Sequence, residues 1–465
     1  MKVFLMNEIE FDYENKEYNE IIYKIMLHTV EISDFENYFI KGLTDEDKEK
    51  VLNEIKNLDF SIIAINEVIV ETKNFFKKYL ESNFTEYLID YLIGYKELAP
   101  IMKSDDYEEI MVNDYNKVFV ISRKNIYYKT NIVFDRRSFN VFLEYIKKTI
   151  NGDFNKRKFI DGVLPDNSRI NIVSKEIARF NVITIRKFLS KPLTIIDLIN
   201  NNTFNYEVAA YLWTVIEGFN LKPANLFICG GTSTGKTTLL NILLNFVHPK
   251  ERVICVEDTK EINTTIFDNS ISLVSDISDP DSLYNITLNI LRMRPDRIVI
   301  GETRGKEAKA LFMAMDTGHQ GCISTIHANN SGDLINKLLS EPMNIEESYI
   351  KLLDIIITFD KKYIGNKMYR YVSQISEISR LGNITLNHIY SNDNMEFSSS
   401  VNFMSSQFLE KLCNYINISK IELQIVIDNR IKILKSMVDR NIKDSDEIRN
   451  LLIDPRFGYK ELLNK

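Results

Sequence analysis

Apolar positions along the chain change their period several times, and each change marks a change of element. Over residues 1–90 they recur at helical spacing, around Ile21, Ile22, Ile25 and Met26 and again around Val51, Leu52, Ile55 and Leu58. Few Gly or Pro residues interrupt them, so this region is expected to be helical. From 91 to 190 the pattern is mixed. Ile110-Met111-Val112-Asn113 and Lys117-Val118-Phe119-Val120-Ile121 predict two strands around a turn at 114–116. A helix is expected from Ser138 to Ile150, and strands again at 170–173 and 181–185. This reads as a small α+β domain. A linker is expected at 187–192, where Pro192 disfavours a continuing helix.

Between 191 and 395 short apolar runs alternate with amphipathic ones. Strands are predicted at 225–229, 252–257, 297–301, 321–326 and 354–359, with helices between them. That alternation predicts a parallel sheet covered by helices on both faces. One helix is expected to start with Asp279 as its cap and Pro280 in its first turn, placing Leu283, Ile286 and Ile290 on one face. Another runs from Lys306 and shares a face among Ala308, Leu311, Phe312 and Met315. The segment 367–379 predicts a strand near the sheet edge. Residues 396–465 are expected to be helical, and Ser419-x-x-Glu422 and Asp444-x-x-Glu447 fit helix starts there.

The chemistry begins where strand 225–229 meets its helix. Gly230-Gly231-Thr232-Ser233-Thr234-Gly235-Lys236-Thr237 fits GxxxxGK[ST]. Gly230 and Gly235 permit a tight turn in which backbone N–H groups converge on phosphate oxygens. The helix opening through Thr238 adds partial positive charge. At this spacing Lys236 reaches the β and γ phosphates and Thr237 can ligate Mg²⁺.

Further candidates lie at strand ends, where open α/β sheets bind ligands. Glu257-Asp258, with Glu261 nearby, suits metal-water ligation or water activation, and equally suits a helix cap or solvated turn. The run Asp296-Arg297-Ile298-Val299-Ile300-Gly301-Glu302 ends in an acid, which needs a partner such as Mg²⁺ because a buried carboxylate is otherwise costly. His319 and His327 bracket the run 321–326 and fit γ-phosphate sensing or a polar network better than a metal site, since no HExxH-type spacing is present, while either histidine alone would read as a structural imidazole hydrogen-bonded in the core. Arg169, Arg179 and Arg186 lie before the linker, and Arg292, Arg294 and Arg304 flank the Glu302 run. Arginine supplied from another domain or subunit stabilises charge developing at a γ-phosphate.

Composition narrows the class. With 465 residues, 45% hydrophobic and 26% charged, the chain is expected to fold into several globular domains. A net charge of −7 without a basic block argues against nucleic acid as partner. The start turns acidic at once and no run of about 18 apolar residues occurs, so neither a signal peptide nor a spanning helix is expected. Cys229, Cys255, Cys322 and Cys413 form no CxxC pair and read as small buried hydrophobes.

Taken together, four boxes resemble the type II/IV secretion and type IV pilus ATPase superfamily: 230–237, Glu257-Asp258-Thr259-x-Glu261, Arg294-Pro295-Asp296 through Gly301-Glu302, and Thr317-Gly318-His319 through His327-Ala328. The archaeal branch, with archaellum motor and archaeal pilus assembly ATPases, is most similar. Glu108 to Asn113, Thr130-Asn131-Ile132, Leu164-Pro165-Asp166-x-Ser168-Arg169, Thr184 to Phe188, Tyr211-Leu212-Trp213 and Glu341-Pro342-Met343-Asn344 carry that likeness. The resemblance implies a RecA-like P-loop nucleotide domain, a preceding α+β (PAS-like) domain and helical N- and C-terminal regions. It implies an ATP-hydrolysing, Mg²⁺-dependent homohexamer at the cytoplasmic face of the membrane. There it would work on a polytopic platform protein and the export machinery of a pilin or archaellin. ATP would be held by residues 230–238, Mg²⁺ by Thr237 and Glu302. Glu257 and Glu302 would share water activation and metal binding, with the principal base left open. His319 and His327 would couple the γ-phosphate to neighbouring strands, and Arg169 and Arg186 would reach ATP. A conjugation, DNA-uptake or pilus-retraction ATPase, and a non-hydrolysing nucleotide-binding subunit, are the alternatives.

Overall fold

The computed structural model describes residues 7–10, 21, 31–56, 66–92, 95, 97–123, 126–134, 136–150, 158–164, 166, 168–187, 193–276, 279, 281–364, 367–379, 382–392, 401–442 and 444–453. The chain divides into two compact units, Met1–Ser190 and Lys191–Lys465.

The first unit has two separate cores. Helices α1 (Asp45–Lys56), α2 (Asn66–Phe76) and α3 (Ser82–Leu92) surround Phe35, Val51, Ile55, Phe76 and Phe84. Of the apolar positions read as helical at the N-terminus, Ile22, Ile25, Met26 and Leu58 lie outside the described residues. After the short helix α4 (Ala99–Lys103), the second core belongs to a seven-stranded sheet. Its strands are β1 (Asn7–Ile9), β2 (Tyr107–Asp114), β3 (Lys117–Ser122), β4 (Tyr127–Thr130), β5 (Phe159–Val163), β6 (Arg169–Val173) and β7 (Val182–Arg186), in the order β1-β4-β3-β2-β7-β6-β5. Helix α5 (Arg136–Thr149) contributes Phe139, Phe142 and Ile146 to this core, opposite Ile110, Val112, Ile170, Ile172, Ile183 and Ile185. Burial alternates along β6 and β7, as a sheet with one covered face requires. The short strands β1, β4 and β5 escape the sequence pattern because little of their surface is buried. The linker positions 188–192 lie outside the described residues.

The second unit opens with α6 (Ile195–Asn200), capped by Thr194 in a reciprocal box with Asp197, and α7 (Tyr206–Glu217). Its sheet comprises β8 (Leu226–Gly230), β9 (Val253–Glu257), β10 (Ser270–Val274), β11 (Arg297–Thr303), β12 (Ile323–His327), β13 (Ile355–Ile364), β14 (Lys367–Ile378) and β15 (Leu386–Ser391). The order is β10-β9-β11-β12-β8-β13-β14-β15. Pairing is parallel from β10 through β13, and β14 and β15 add antiparallel strands. Successive residues of each central strand enter different cores: Leu226 and Ile228 one, Phe227 and Cys229 the other, and likewise Val253 and Cys255 against Ile254 and Val256. This two-sided burial explains why these strands read as unbroken apolar runs. All four cysteines are buried in these cores. The remaining helices are α8 (Lys236–Leu243), α9 (Ser282–Ile290), α10 (Glu307–Asp316), α11 (Ser331–Leu339), α12 (Glu347–Ile350), α13 (Gln407–Ile416), α14 (Lys420–Asp439) and α15 (Ser445–Ile453).

Helix α9 starts later than the pattern predicted. Asp281, not Asp279, holds the cap position, and Pro280 lies outside the described residues. The Ser419/Glu422 capping box opens α14 as predicted, and the Asp444 carboxylate accepts the Glu447 N–H at the start of α15. These C-terminal helices share the nucleotide unit's core. Arg430 of α14 stands 4.7 Å from the Trp213 ring centre, donates to Thr214 Oγ1 at 3.0 Å and pairs with Glu217. Glu377 of β14 accepts from Tyr211 Oη at 2.9 Å and from the Gln407 N–H at 2.6 Å, so one buried carboxylate joins α7, the sheet and the start of α13. Among the described residues, no helix is long and apolar enough to cross a membrane.

At the base of β11, the wholly buried Arg297 guanidinium grips Glu251 through Nε (2.5 Å) and Nη2 (3.2 Å). Gly321 lies against it at φ +67°, where a Cβ would stand 2.1 Å from Nη1. Removing the carboxylate strands a buried cation. Glu251→Ala is therefore expected to cost about 3 kcal/mol. Thermal unfolding should read this as a drop in Tm of roughly 5–10 °C.

Candidate functional site: a phosphate cradle at the carboxyl ends of the strands

The cradle is built where β8 ends. Gly230 closes the strand so tightly against β13 that a Cβ would lie 2.2 Å from the Phe359 carbonyl oxygen. Gly235 caps α8 at φ +100°, a conformation that only glycine adopts without strain. Between them Ser233 takes φ +59° and Thr234 Oγ1 donates to the Gly231 carbonyl at 3.0 Å. The loop ends at the N-terminus of α8, so its free N–H groups and the helix dipole favour an anion there. Thr237, half-buried, and the exposed Thr238 follow in the first turn of α8.

Lys236 folds back over this loop. Its Nζ donates to the carbonyls of Gly230 (3.0 Å) and Gly231 (2.8 Å) and lies 3.4 Å from His327 Nδ1. Burial lowers its pKa to about 8. His327 arrives there by register, since it pairs directly with Gly230 across β12 and β8. Burial, then the Lys236 charge, holds its imidazole below the usual range, so it is neutral near pH 7. Lys337 Nζ, which the sequence reading did not single out, holds the His327 carbonyl at 2.7 Å.

Glu302 is the next wall. Burial is the largest single influence and opposes its charge, but the Arg304 hydrogen bond (Nη2 at 2.6 Å) and charge, joined by the charges of His327 and Lys236, together hold the carboxyl below its usual pKa. Arg304 also reaches Asp258 at 3.4 Å, joining the acidic ends of β9 and β11. Glu302 Oε1 is buried and has no hydrogen-bond partner among the described residues; His327 Nε2 lies 3.1 Å away without hydrogen-bond alignment. A buried carboxylate oxygen left in this way fits a metal-bound water, so Glu302 and the Thr237 hydroxyl are the residues that could hold a divalent cation.

Glu257 is 3% exposed. Burial raises its pKa to about 7 even though the Glu261 and Ile262 N–H groups donate to it at 3.0 Å. Gly301 makes room for it on the adjacent strand, where a Cβ would stand 2.9 Å from Glu257 Cγ. Asn241 of α8 ties the cradle helix to this loop, donating to the Glu261 carbonyl at 2.9 Å and accepting the Asn263 N–H at 2.8 Å. A carboxylate titrating near 7 is poised for general-base work.

Not every candidate gathers here. His319 stands at the opposite end of β12, in a cavity of about 560 Å³ at the amino ends of the strands, together with His248, Lys250, Glu251 and Arg297. A parallel strand carries its two ends to opposite edges of the sheet, so within this unit His327 alone of the pair meets the cradle. Arg169 and Arg186 belong to the first unit, where they face each other across β6 and β7; Arg186 lies 3.7 Å from Glu108.

One strand, β12, separates the cradle strand β8 from the Glu302 strand β11, which is the RecA-like arrangement that the resemblance implied. A family model described as "Type II/IV secretion system protein" matches residues 107–417, more than half of the chain. An uncharacterized protein of Methanocaldococcus jannaschii is 38% identical over 334 residues, 69% of this chain and 45% of the relative. A second from that organism is 30% identical over 380 residues, 78% of this chain and 67% of the relative. Conjugal transfer protein TrbB of Rhizobium radiobacter is 30% identical over 222 residues, 46% of this chain and 67% of the relative. The chain thus spans less than half the length of the first of these. The family match runs from β2 through the cradle and both acidic strand ends to the helices beyond, and this chain belongs to the type II/IV secretion system protein family.

Proposed function

We propose that the chain is an ATP-hydrolysing, Mg²⁺-dependent motor subunit that drives assembly of a pilus-like filament or secretion through a membrane platform protein. The observation that carries this reading is the chain of contacts at the cradle, Lys236 3.4 Å from His327 and His327 3.1 Å from an ionised Glu302 with an orphaned oxygen, together with a Glu257 titrating near 7 at the same end of β9, the strand paired with β11. A module that only held nucleotide would need the cradle, not a carboxylate tuned to activate water. Lys236 and the loop N–H groups bind and orient the phosphates. Bound Mg²⁺, held through Thr237 and Glu302, would neutralise charge developing on the β and γ phosphates. Glu257 takes the proton of the attacking water. His327, touching both Lys236 and Glu302, relates the state of the γ-phosphate to β12. In this proposal the chain works as a homohexamer at the cytoplasmic face of the membrane, with Arg169 and Arg186 supplying further positive charge to ATP. Similarity to a conjugal transfer protein supports a second reading, a transfer ATPase of the same family. Adjacent genes for a pilin and a platform protein, as against transfer genes, separate the two.

Phosphate release, measured with Mg²⁺ across protein concentrations that permit assembly, tests the activity. The expected kcat/KM profile is a narrow bell. Its acid limb lies near pH 7, where Glu257 must lose its proton, and its alkaline limb near pH 8, where Lys236 loses its charge. Chelation of the metal should abolish turnover. Tight nucleotide binding without phosphate release at any concentration establishes the non-hydrolysing subunit instead.

A further inference from the structure

The hairpin β13–β14 extends past the parallel sheet and brings two cations to the outer side of the cradle. Lys361 and Arg370 are direct cross-strand partners. Like charges opposite one another on a hairpin repel, so this pairing needs a compensating acceptor. It has two. Lys361 Nζ donates to the Thr232 carbonyl at 3.0 Å, and Arg370 Nε donates to the Ser233 carbonyl at 3.1 Å. These are consecutive peptides at the tip of the phosphate loop. A trans peptide is planar, with its C=O and the following N–H pointing in opposite directions. Holding the two carbonyls from outside therefore turns the N–H groups of Ser233 and Thr234 away from the hairpin. The same contact accounts for a strained residue. Ser233 carries a side chain at φ +59°, a conformation that persists only where its surroundings impose it. The Arg370 stem also lies beside Gly235, where a Cβ would meet its Cδ at 3.5 Å.

We infer that Lys361 and Arg370 are positioning residues for nucleotide binding: a cationic cross-strand pair that presets the amides of the cradle and adds positive potential behind the phosphates. The inference rests on the ATP reading above, and the sequence motif contains neither residue. They act through the loop and touch no reacting atom. Their loss should weaken nucleotide binding more than it slows chemistry.

The test compares Arg370→Ala, Lys361→Ala, Arg370→Lys and, as a control for net charge, Lys362→Ala, the exposed neighbour whose side chain points to the other face of the hairpin. ATP is titrated into each full-length chain, and KM and kcat are measured separately. Arg370→Ala and Lys361→Ala are expected to raise Kd and KM about tenfold or more, the worth of a charge-assisted hydrogen bond, with a smaller change in kcat. Arg370→Lys should restore part of the affinity, and Lys362→Ala should match the unaltered chain. Hydrogen exchange of the nucleotide-free chain gives a second readout: amides 232–235 should exchange faster in Arg370→Ala while the Tm is kept. ATP affinity and amide exchange in both alanine variants equal to those of the unaltered chain overturn the inference. Failure of the unaltered chain to bind ATP overturns the nucleotide reading instead, and leaves amide exchange to decide whether the pair presets the loop.

Discussion

Lys236→Ala is expected to remove ATP hydrolysis, lowering kcat/KM by at least about 10²–10³-fold, the scale lost with one preorganised donor at a developing charge. The geometry makes this the most damaging single change in the cradle. Nζ bonds the carbonyls of both Gly230 and Gly231, and it stands within 3.4 Å of His327. Its removal takes away the charge that meets the phosphates and leaves two loop carbonyls without that donor. Near pH 7 the ammonium is still mostly protonated despite its lowered pKa of about 8, so the native chain presents a full charge. Lys236→Arg should fail to rescue, because a planar guanidinium does not reproduce the compact ammonium that bonds the Gly230 and Gly231 carbonyls at one point. Phosphate release and titration with a fluorescent ATP analogue measure the effect. A retained Tm shows that the sheet is intact. Unchanged turnover in Lys236→Ala would remove this loop from the reaction.

Glu257→Gln separates chemistry from binding. The amide keeps the size of the side chain, and its oxygen can still accept the Glu261 and Ile262 N–H groups that the carboxylate accepts at 3.0 Å. The loop should therefore hold its shape and ATP affinity should stay within about twofold, while kcat falls by roughly 10²–10⁴, the usual contribution of a positioned general base. The acid limb near pH 7 should vanish with it, since the titrating group is gone. Persistence of that limb in the residual activity assigns the base role elsewhere, with Glu302 the next candidate. Its lowered pKa suits a metal-bound water better than proton transfer, because a carboxylate held ionised beside Arg304 is a poor proton acceptor.

The family was legible in the sequence because its functional groups are local. Gly230 to Thr237 is one continuous loop, and the acids close β9 and β11, so each box carried its own turn or strand end with it. The parallel strands were legible for a related reason: residues such as Leu226 to Cys229 bury both faces and read as apolar runs. Edge strands were not. β10 and β15 bury less, and β10 pairs with β9 through backbone groups, which leave little trace in side-chain pattern.

By itself the sequence determined the identity of the cradle, the order of its acids and the two-sided sheet that carries them, since these follow from hydrophobic period and from a contiguous loop. Only the tertiary structure decided which distant residues meet. His319 and His327 are equivalent in the sequence, yet register sets His327 against Gly230 and leaves His319 at the other edge. The ionised state of Glu302, the raised pKa of Glu257 and the cations Lys361 and Arg370 over the loop also belong to the folded chain. Each depends on burial and on charges brought together across long stretches of sequence, and no local spacing encodes that.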